Sequence, residues 1–204
     1  MPFVLRPMEP RDVPVVVAID RLSFPTPWSA AAFRRELQKE ASTYSVLLRP
    51  EGNGAHTFAD HGSTWLQRLF NPTAPSRVIG YVGFRLQGGH GHITTIALHP
   101  DWRGQGFGDL LLSVALRKMI ARGVEMVTLE MRPSNKLAYK LYRKYGFCVV
   151  QFRRQYYRDG EDAWVMAVRM NESYRERLTE LRDAVKERFE RQDIEVGQIN
   201  GDPL

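Results

Sequence analysis

The segment of this chain best suited to hold a charged ligand is a glycine-rich loop at residues 99–108, with the sequence HPDWRGQGFG. A β-type pattern precedes the loop, and a helical pattern follows it. Glycines let backbone N–H groups approach an anion closely, and the N-terminus of a following helix adds a favourable dipole. The loop is not a Walker A motif, because no Gly-Lys-Ser/Thr follows, and Asp109 stands where a dinucleotide fingerprint has its third glycine. The pattern therefore predicts a phosphate site of another kind.

Two residues further along the chain have ionisable side chains at distinctive positions. Glu130 ends an otherwise apolar strand pattern, and Tyr142 lies seven residues after Asn135, two helical turns away on the same face. A carboxylate can accept a proton and a phenol can donate one. Each residue also has an ordinary structural interpretation. Glu130 could pair with Arg132 or Lys136 on the surface, and Tyr142 could be a packing aromatic of an amphipathic helix.

The composition excludes several classes of protein. The chain has 204 residues, 43% hydrophobic and 25% charged, which is typical of a globular protein with one domain, or two at most. No apolar run reaches the roughly 18 residues of a membrane span, and the N-terminus lacks a secretory signal, so we expect a cytoplasmic protein without membrane contact. One cysteine and five scattered histidines predict neither a disulfide nor a metal site. We expect Cys148 to be a small buried hydrophobic residue.

Positive charge is concentrated in the body of the chain. Residues 1–170 carry 23 basic and 14 acidic groups, whereas residues 171–204 carry 6 and 9. The segment 132–158 holds eight basic residues and no acidic one. Such a patch favours a polyanionic ligand such as RNA, the ribosome or a phosphate-bearing cofactor, although a solvated basic face is the alternative.

Hydrophobic periodicity predicts a mixed α/β sheet. Asp12, Ser29 and Ser134 are placed to cap helices, and Gly123 and Gly146 to end them. The connection at 50–76 is long enough to be an insertion, and a charged helix follows the last strand. The predicted strands are 4–6, 44–48, 77–86, 92–98, 124–131, 148–157 and 163–170, and the predicted helices are 12–23, one beginning after Ser29, 109–122, 135–145 and 172–191.

The loop and the motifs after it resemble one known group of proteins. Arg-x-x-Gly-x-Gly between a strand and a helix is similar to the acyl-CoA loop of the GNAT N-acetyltransferase superfamily. The downstream succession is similar to the ribosomal-protein alanine N-acetyltransferase family, and so is FPTPWS at 24–29. The resemblance covers about residues 3–170 without the insertion. The downstream motifs are LEMRPSN at 129–135, LY at 141–142, YGF at 145–147, RRQYY at 153–157 and DA at 162–163.

The resemblance implies a GNAT fold, a mixed and mostly antiparallel sheet flanked by helices, over residues 1–170, with a helical tail at 171–204. It implies acetyl-CoA as co-substrate, direct transfer without an acyl-cysteine, Glu130 as general base and Tyr142 as general acid. The backbone of the strand before the loop would hold the acetyl carbonyl and pantetheine, the loop would cradle the pyrophosphate, and Asn135 would bind the pantetheine arm. The implied cofactor-binding residues are Ile96, Ala97, Leu98, Arg103, Gly104, Gln105, Gly106, Phe107, Gly108, Asp109 and Asn135.

The family's acceptor is a protein N-terminus, the alanine of ribosomal protein S18. An α-amino group has a pKa about 2.5 units below that of lysine, so its deprotonation costs ~3.4 kcal/mol less. This comparison makes N-terminal acetylation chemically easier without excluding lysine. Acetylation of lysine or a small amine is the closest alternative, and a non-catalytic CoA- or RNA-binding module is an alternative of another class.

Two segments have no counterpart in the short family members. The insertion contains an amphipathic turn at 64–70, which either docks a partner or folds back on the body, and its His56 and His61 are more typical of a plain loop than of a metal site. The tail helix carries Tyr174, Leu178, Leu181 and Val185 along one stripe. That stripe could pack against the body, pair with a second copy or remain loose.

Overall fold

Seven strands form one sheet in the part of the chain that the structure describes, residues 2–50 and 77–197 of a computed structural model. Their order is β1-β2-β3-β4-β5-β7-β6, and every neighbouring pair is antiparallel except β4 and β5. This confirms the predicted mixed, mostly antiparallel sheet. The strands are β1 Val4–Pro7, β2 Ser42–Leu48, β3 Val78–Gln87, β4 His90–Leu98, β5 Met126–Met131, β6 Cys148–Arg153 and β7 Ala163–Arg169. The α-helices are α1 Val13–Ser23, α2 Ala30–Leu37, α3 Phe107–Ile120, α4 Lys136–Lys144 and α5 Glu172–Arg191.

Strands β4 and β5 separate at their carboxyl ends. Their parallel pairing stops at Ile93↔Leu129, after which β4 continues against β3 and β5 continues against β7. A register shift opposite β3 leaves Thr94 as the extra residue of a β-bulge. A bulge bends its strand and re-aims the side chains that follow. The sheet therefore opens between β4 and β5 just before the glycine-rich loop.

Side-chain alternation along the central strands divides the apolar residues between the two faces of the sheet. On one face, Val46 and Tyr81 pack with α1 and α2, where Phe33 is fully buried. On the other face, Leu47 and Val82 belong to the larger cluster that includes most of α3. Truncating a buried phenylalanine typically costs about 3–5 kcal/mol, so this packing holds both helix layers firmly against the sheet.

The cap of α4 differs from the predicted one. The helix begins at Lys136, and its N-cap is Asn135, whose side-chain oxygen accepts the Ala138 N–H at 3.0 Å. Ser134 instead donates its backbone N–H to a carboxylate oxygen of Glu161 at 3.1 Å. The prediction of a Ser134 cap is wrong, because the Asn135 side chain makes the cap bond one residue further along the chain.

The starts of α1 and α3 also depend on contacts outside the helices. Asp12 is the N-cap residue of α1, but its carboxylate is held at 2.7 Å by the Arg6 guanidinium and makes no cap bond. Helix α3 begins at Phe107, two residues before the predicted start, because Gly106 adopts a φ of +100° as its N-cap. Glycine reaches this conformation without the Cβ clash of other residues.

Strand β6 lies at the edge of the sheet, and this position corrects two predictions. It ends at Arg153 rather than at residue 157, because the chain turns at Gln155 with a φ of +49°. Cys148 is exposed rather than buried, and its Sγ lies 3.3 Å from a guanidinium nitrogen of Arg143. An edge strand has a neighbour on one side only, so its first residue remains accessible.

Helix α5 packs against the body of the protein, which is one of the three arrangements that its stripe allowed. Tyr174, Leu178 and Val185 are buried, Leu181 is partly buried, and Phe189 extends the stripe by one turn. Beyond the helix, backbone hydrogen bonds join residues 195 and 197 to Phe3 at 2.7 and 2.8 Å. The helix is therefore anchored by its side chains and by the segment after it.

The predictions for the insertion lie outside the described residues. They concern residues 51–76, including the amphipathic turn at 64–70, His56 and His61. Within the described ranges, no helix combines the length and the apolarity needed to cross a bilayer.

Candidate active site

A cavity of about 730 Å³ occupies the opening between β4 and β5. Its floor is the end of β4, from Thr94 to Leu98, and its far wall is the end of β5, from Leu129 to Met131. The glycine-rich loop and α4 enclose the end that we name the cofactor end. The segment between α1 and α2 and the turn after β6 enclose the other end, which we name the acceptor end. The cofactor end includes Arg103, Gly104, Gly106, Gly108, Lys144 and Arg188, and the acceptor end includes Phe24, Thr26, Trp28, Tyr156 and Tyr157.

The glycine-rich loop turns its backbone toward the cofactor end. Gly104 and Gly106 have φ angles of +75° and +100°, values that favour glycine. Gly106 is followed at once by the first turn of α3, whose N–H groups have no partner within the helix. A Cβ on Gly108 would lie 3.5 Å from the Leu141 side chain, in ordinary van der Waals contact with α4. This arrangement is that of an anion-binding helix N-terminus.

Most side chains of the loop are directed away from the cavity. The Arg103 guanidinium donates to Ser23 Oγ at 2.9 Å and to the Leu98 carbonyl at 3.1 Å, although the residue still lines the cavity. Gln105 donates to the Asp101 carbonyl, and Phe107 is fully buried in the core. Neither Gln105 nor Phe107 lines the cavity, so only their backbone N–H groups are suited to contact a ligand.

One acidic group stands at the start of α3, and a cation balances it. Asp109 lines the cofactor end and forms an ion pair with Lys144 from α4. Without that pair, the Asp109 carboxylate would repel a phosphate. The pair therefore keeps the loop suited to an anion.

The sequence-predicted pantetheine contacts converge on the same cavity. Ile96, Ala97 and Leu98 line it from the side of β4 that faces away from β3, beyond the last β5 pair. Asn135 lines it from the start of α4, where its side-chain oxygen is engaged in the helix cap and its amide nitrogen can still donate.

Glu130 lies in the wall of the cavity with two partners. Its carboxylate oxygens lie 3.1 Å from His92 Nε2 and 2.9 Å from a guanidinium nitrogen of Arg153. The hydrogen bond from His92, together with the charges of His92 and Arg153, lowers the pKa of Glu130 against the opposing effect of burial. His92 Nδ1 contacts Thr128 Oγ1 at 3.0 Å, which orients the ring. Neither predicted surface partner, Arg132 or Lys136, pairs with this carboxylate.

His92 also connects Glu130 to the outside of the protein. His92 and Thr128 line a second, smaller pocket beside the β3–β4 turn, and neither residue lines the main cavity. The histidine side chain is 36% exposed.

Tyr142 faces the same cavity from α4. It is 6% exposed, and its ring packs 5.9 Å from that of Phe147. Burial raises the pKa of Tyr142 well above its ordinary value, so the phenol keeps its proton at neutral pH. Glu130 and Tyr142, twelve residues apart in sequence, are thus brought to one cavity from a strand and a helix.

Arg132 connects the two segments that enclose the acceptor end. Its guanidinium donates to Asp159 at 2.8 Å and to Glu161 at 2.7 Å, and it stacks 3.8 Å from the centre of the Tyr157 ring. It also lies 3.4 Å from Thr26 Oγ1 on the opposite segment. This buried cation therefore sets the width of the acceptor end.

A buried carboxylate supports the acceptor end from beneath. Asp20 is 1% exposed, accepts the Trp28 N–H at 2.6 Å and also accepts the Tyr81 hydroxyl. Burial raises the pKa of Asp20 and also that of Tyr81. The hydrogen bond from Trp28 to Asp20 therefore holds the acceptor end against α1.

Three of the eight basic side chains in segment 132–158 form ion pairs with carboxylates of the same chain. Arg132, Lys144 and Arg153 are in ion pairs, and Arg143 donates to the Phe147 carbonyl. These contacts leave fewer cations for an external polyanion than the sequence suggested.

Several residues of the site carried no usable signal in the sequence. His92 began a predicted strand, Arg153 belonged to a motif without an assigned role, and Arg188 lay in the tail. Only the register of β4 and β5 places His92 beside Glu130. A charged residue alternating with apolar ones on two adjacent strands is the one signal that could have suggested that pair.

No group of three or more histidine, cysteine, aspartate or glutamate residues suited to a metal ion occurs within residues 2–50 and 77–197.

Comparisons with known proteins agree with this geometry. The acetyltransferase (GNAT) family matches residues 15–147. A Bacillus subtilis protein with the provisional name ribosomal protein bS18-alanine N-acetyltransferase is 30% identical over 82% of this chain and 96% of its own. An N-alpha-acetyltransferase of Sulfurisphaera tokodaii is 34% identical over 59% of this chain and 80% of its own.

A solved structure extends the likeness to the fold. The ribosomal-protein-S18-alanine N-acetyltransferase from Escherichia coli is 27% identical, with a TM-score of 0.64 over 83% of this chain and 94% of that one. The family match, the relatives and the cavity lead to one conclusion. The chain is a member of the GNAT family of N-acetyltransferases and resembles the ribosomal-protein alanine N-acetyltransferases within it.

Proposed function

We propose that this protein transfers the acetyl group of acetyl-CoA to the α-amine of a protein N-terminus, with the N-terminal alanine of ribosomal protein S18 as its acceptor. In this proposal, residues 1–170 form the catalytic domain, residues 171–204 form its helical tail, and the enzyme works in the cytoplasm. The observation that carries the proposal is the convergence of Glu130, paired with His92, and Tyr142 on one cavity beside an anion-binding loop.

The residues present fit acetyl-CoA. Five cationic and three acidic side chains line the cavity, and the glycine loop presents backbone N–H groups at the start of α3. Gly104 to Asp109 would hold the diphosphate, and Ile96 to Leu98 with Asn135 would hold the pantetheine arm. When bound, acetyl-CoA supplies an activated thioester. The protein supplies orientation and proton transfer.

The environment of Glu130 supports an α-amine as the acceptor. Because its pKa is lowered, Glu130 is a weak base that remains ionised at neutral pH. A weak base favours the acceptor whose proton is cheapest to remove, and an α-ammonium costs ~3.4 kcal/mol less to deprotonate than a lysine. The carboxylate attracts the ammonium and takes up its proton, directly or through a water.

Tyr142 completes the proton transfers. Its raised pKa keeps a proton on the hydroxyl, which can then donate to a leaving sulfur. The two groups act on different partners, since Glu130 lies on β5 and Tyr142 on α4. Cys148 does not line the cavity, so the proposed transfer is direct.

Mass spectrometry with two matched peptides tests the proposal. The first begins Ala-Arg with a free α-amine and contains one internal lysine, and the second is the same peptide with its N-terminus already acetylated. Acetylation of the α-amine in the first peptide, with no change in the second, is the expected result. Acetylation of the lysine in both would assign the activity to lysine instead.

The same assay separates a non-catalytic module from an enzyme of another substrate class. If neither peptide reacts although CoA binds, a panel of small amines follows. Activity there would replace the protein acceptor, whereas no activity would favour a binding module. Replacing the first residue of the peptide with Ser or Met measures the preference for alanine.

A further inference from the structure

The end of helix α5 lies directly on the glycine-rich loop. Phe189 is 2% exposed, and its ring packs 5.3 Å from that of Phe107, the first residue of α3. A Cβ on Gly106 would lie 3.3 Å from atoms of both Arg188 and Phe189. The tail and the loop are therefore in close contact, although more than 80 residues separate them.

Arg188 extends from this contact into the cofactor end of the cavity. Its Nη2 donates to the Gly104 carbonyl at 2.7 Å, and the residue lines the cavity. No carboxylate of residues 2–50 or 77–197 lies within ion-pairing distance of its guanidinium. By contrast, Lys144 in the same end is already paired with Asp109.

We infer that Arg188 is a cofactor-binding residue, which pairs with the diphosphate held by the glycine-rich loop. The inference rests on the proposed use of acetyl-CoA and adds the tail helix to the binding site. A guanidinium has five donors in a planar fork, so one edge can hold the Gly104 carbonyl while another faces a phosphate. The loop supplies neutral backbone donors, and Arg188 supplies the full positive charge that they lack.

The placement also gives the tail a function. Tyr174 donates its hydroxyl to the Tyr145 carbonyl at 2.9 Å, and the buried stripe holds α5 along the body. This anchoring fixes Arg188 at the loop before any ligand arrives. Less entropy is lost on binding when a charged side chain is already in place.

Calorimetric binding of CoA to the full-length protein tests the inference. We expect Arg188→Gln to weaken CoA binding about 10-fold and Arg188→Lys to restore part of that loss, because lysine keeps the charge without the fork. Arg191→Gln removes the same charge one turn further along α5, where the side chain is exposed and does not line the cavity, and should change the affinity less than about 2-fold.

Two smaller probes locate the interaction. Dephospho-CoA, which lacks the 3′-phosphate, should show the same loss in Arg188→Gln, whereas pantetheine, followed by ligand-observed NMR, should show none. A loss that disappears with dephospho-CoA would assign Arg188 to the 3′-phosphate and overturn the inference. An equal loss with pantetheine would mean that the variant disturbs the whole cavity, which would also overturn it.

The outcomes separate this inference from the proposed function. If the unmodified protein fails to bind CoA, the proposed function fails. If it binds CoA and Arg188→Gln matches Arg191→Gln, the proposed function stands and the role of Arg188 is refuted. Thermal melts without ligand show whether Arg188→Gln keeps α5 in place, and the partial recovery in Arg188→Lys decides the matter if that variant melts early.

Discussion

Removing the hydroxyl of Tyr142 should affect catalysis without affecting the stability of the fold. This hydroxyl forms no hydrogen bond with another residue in the described part of the chain. The ring itself is held by packing against Phe147. Tyr142→Phe keeps the ring and removes only the proton donor. The variant should therefore fold normally and lose the transfer step.

The expected magnitudes follow from these contacts. With no buried hydrogen bond to lose, the free energy of unfolding should change by less than about 0.5 kcal/mol, or less than about 2 °C in Tm for a chain of this size. General acid catalysis typically contributes 10²–10⁴-fold, so kcat should fall by about that factor, equivalent to ~2.7–5.4 kcal/mol. The affinity for CoA should stay within about 2-fold.

The assay follows CoA release with a thiol reagent, using a saturating Ala-Arg peptide, and calorimetry gives the CoA affinity separately. Tyr139→Phe is the matched control, because Tyr139 lies one turn earlier on α4, packs 5.4 Å from Trp164 and does not line the cavity. That control should keep its full rate. A Tyr142→Phe enzyme with more than a third of the normal kcat would refute the proposed role, and so would a rate loss matched by an equal loss of CoA affinity.

Three further predictions concern the carboxylate and the loop. Glu130→Gln should lower kcat by at least ~100-fold with CoA affinity unchanged by calorimetry, and a near-normal rate would remove Glu130 from the mechanism. Because the hydrogen bond from His92 lowers the pKa of Glu130, ¹³C NMR titration should show this carboxyl protonating below the ordinary pKa of about 4.3. In His92→Asn the midpoint should move to higher pH, so the ionised carboxylate is lost earlier as the pH falls. Identical midpoints in the two proteins would contradict this account. Gly106→Ala and Gly160→Ala should each lower the free energy of unfolding by ~1–2 kcal/mol, or about 2–8 °C in Tm, because both glycines have a left-handed φ. Only Gly106→Ala should also weaken CoA binding, since a Cβ at Gly160 meets nothing within 4 Å. Equal CoA affinities of the two variants would refute the expected crowding of the loop against α5.

The local features of the site could be predicted from the sequence. The glycine-rich loop, the helix after it and the charged end of β5 depend on residue types and short-range periodicity. Asn135 and Tyr142 share a helical face whichever residue caps the helix. These features are local because backbone conformation and hydrogen bonding within a helix depend mainly on neighbouring residues.

The partners of those residues depended on the tertiary structure. Strand register brings His92 to Glu130, the position of β6 brings Arg153 there and exposes Cys148, and the docking of α5 brings Arg188 to the loop. Each contact joins segments far apart in the chain. A polar group forms a hydrogen bond with a partner that the packed fold places within about 3 Å, and the local sequence does not specify that distance. The sequence by itself thus determined the kind of chemistry, and the tertiary structure decided which charged groups surround Glu130 and which cation lies at the loop.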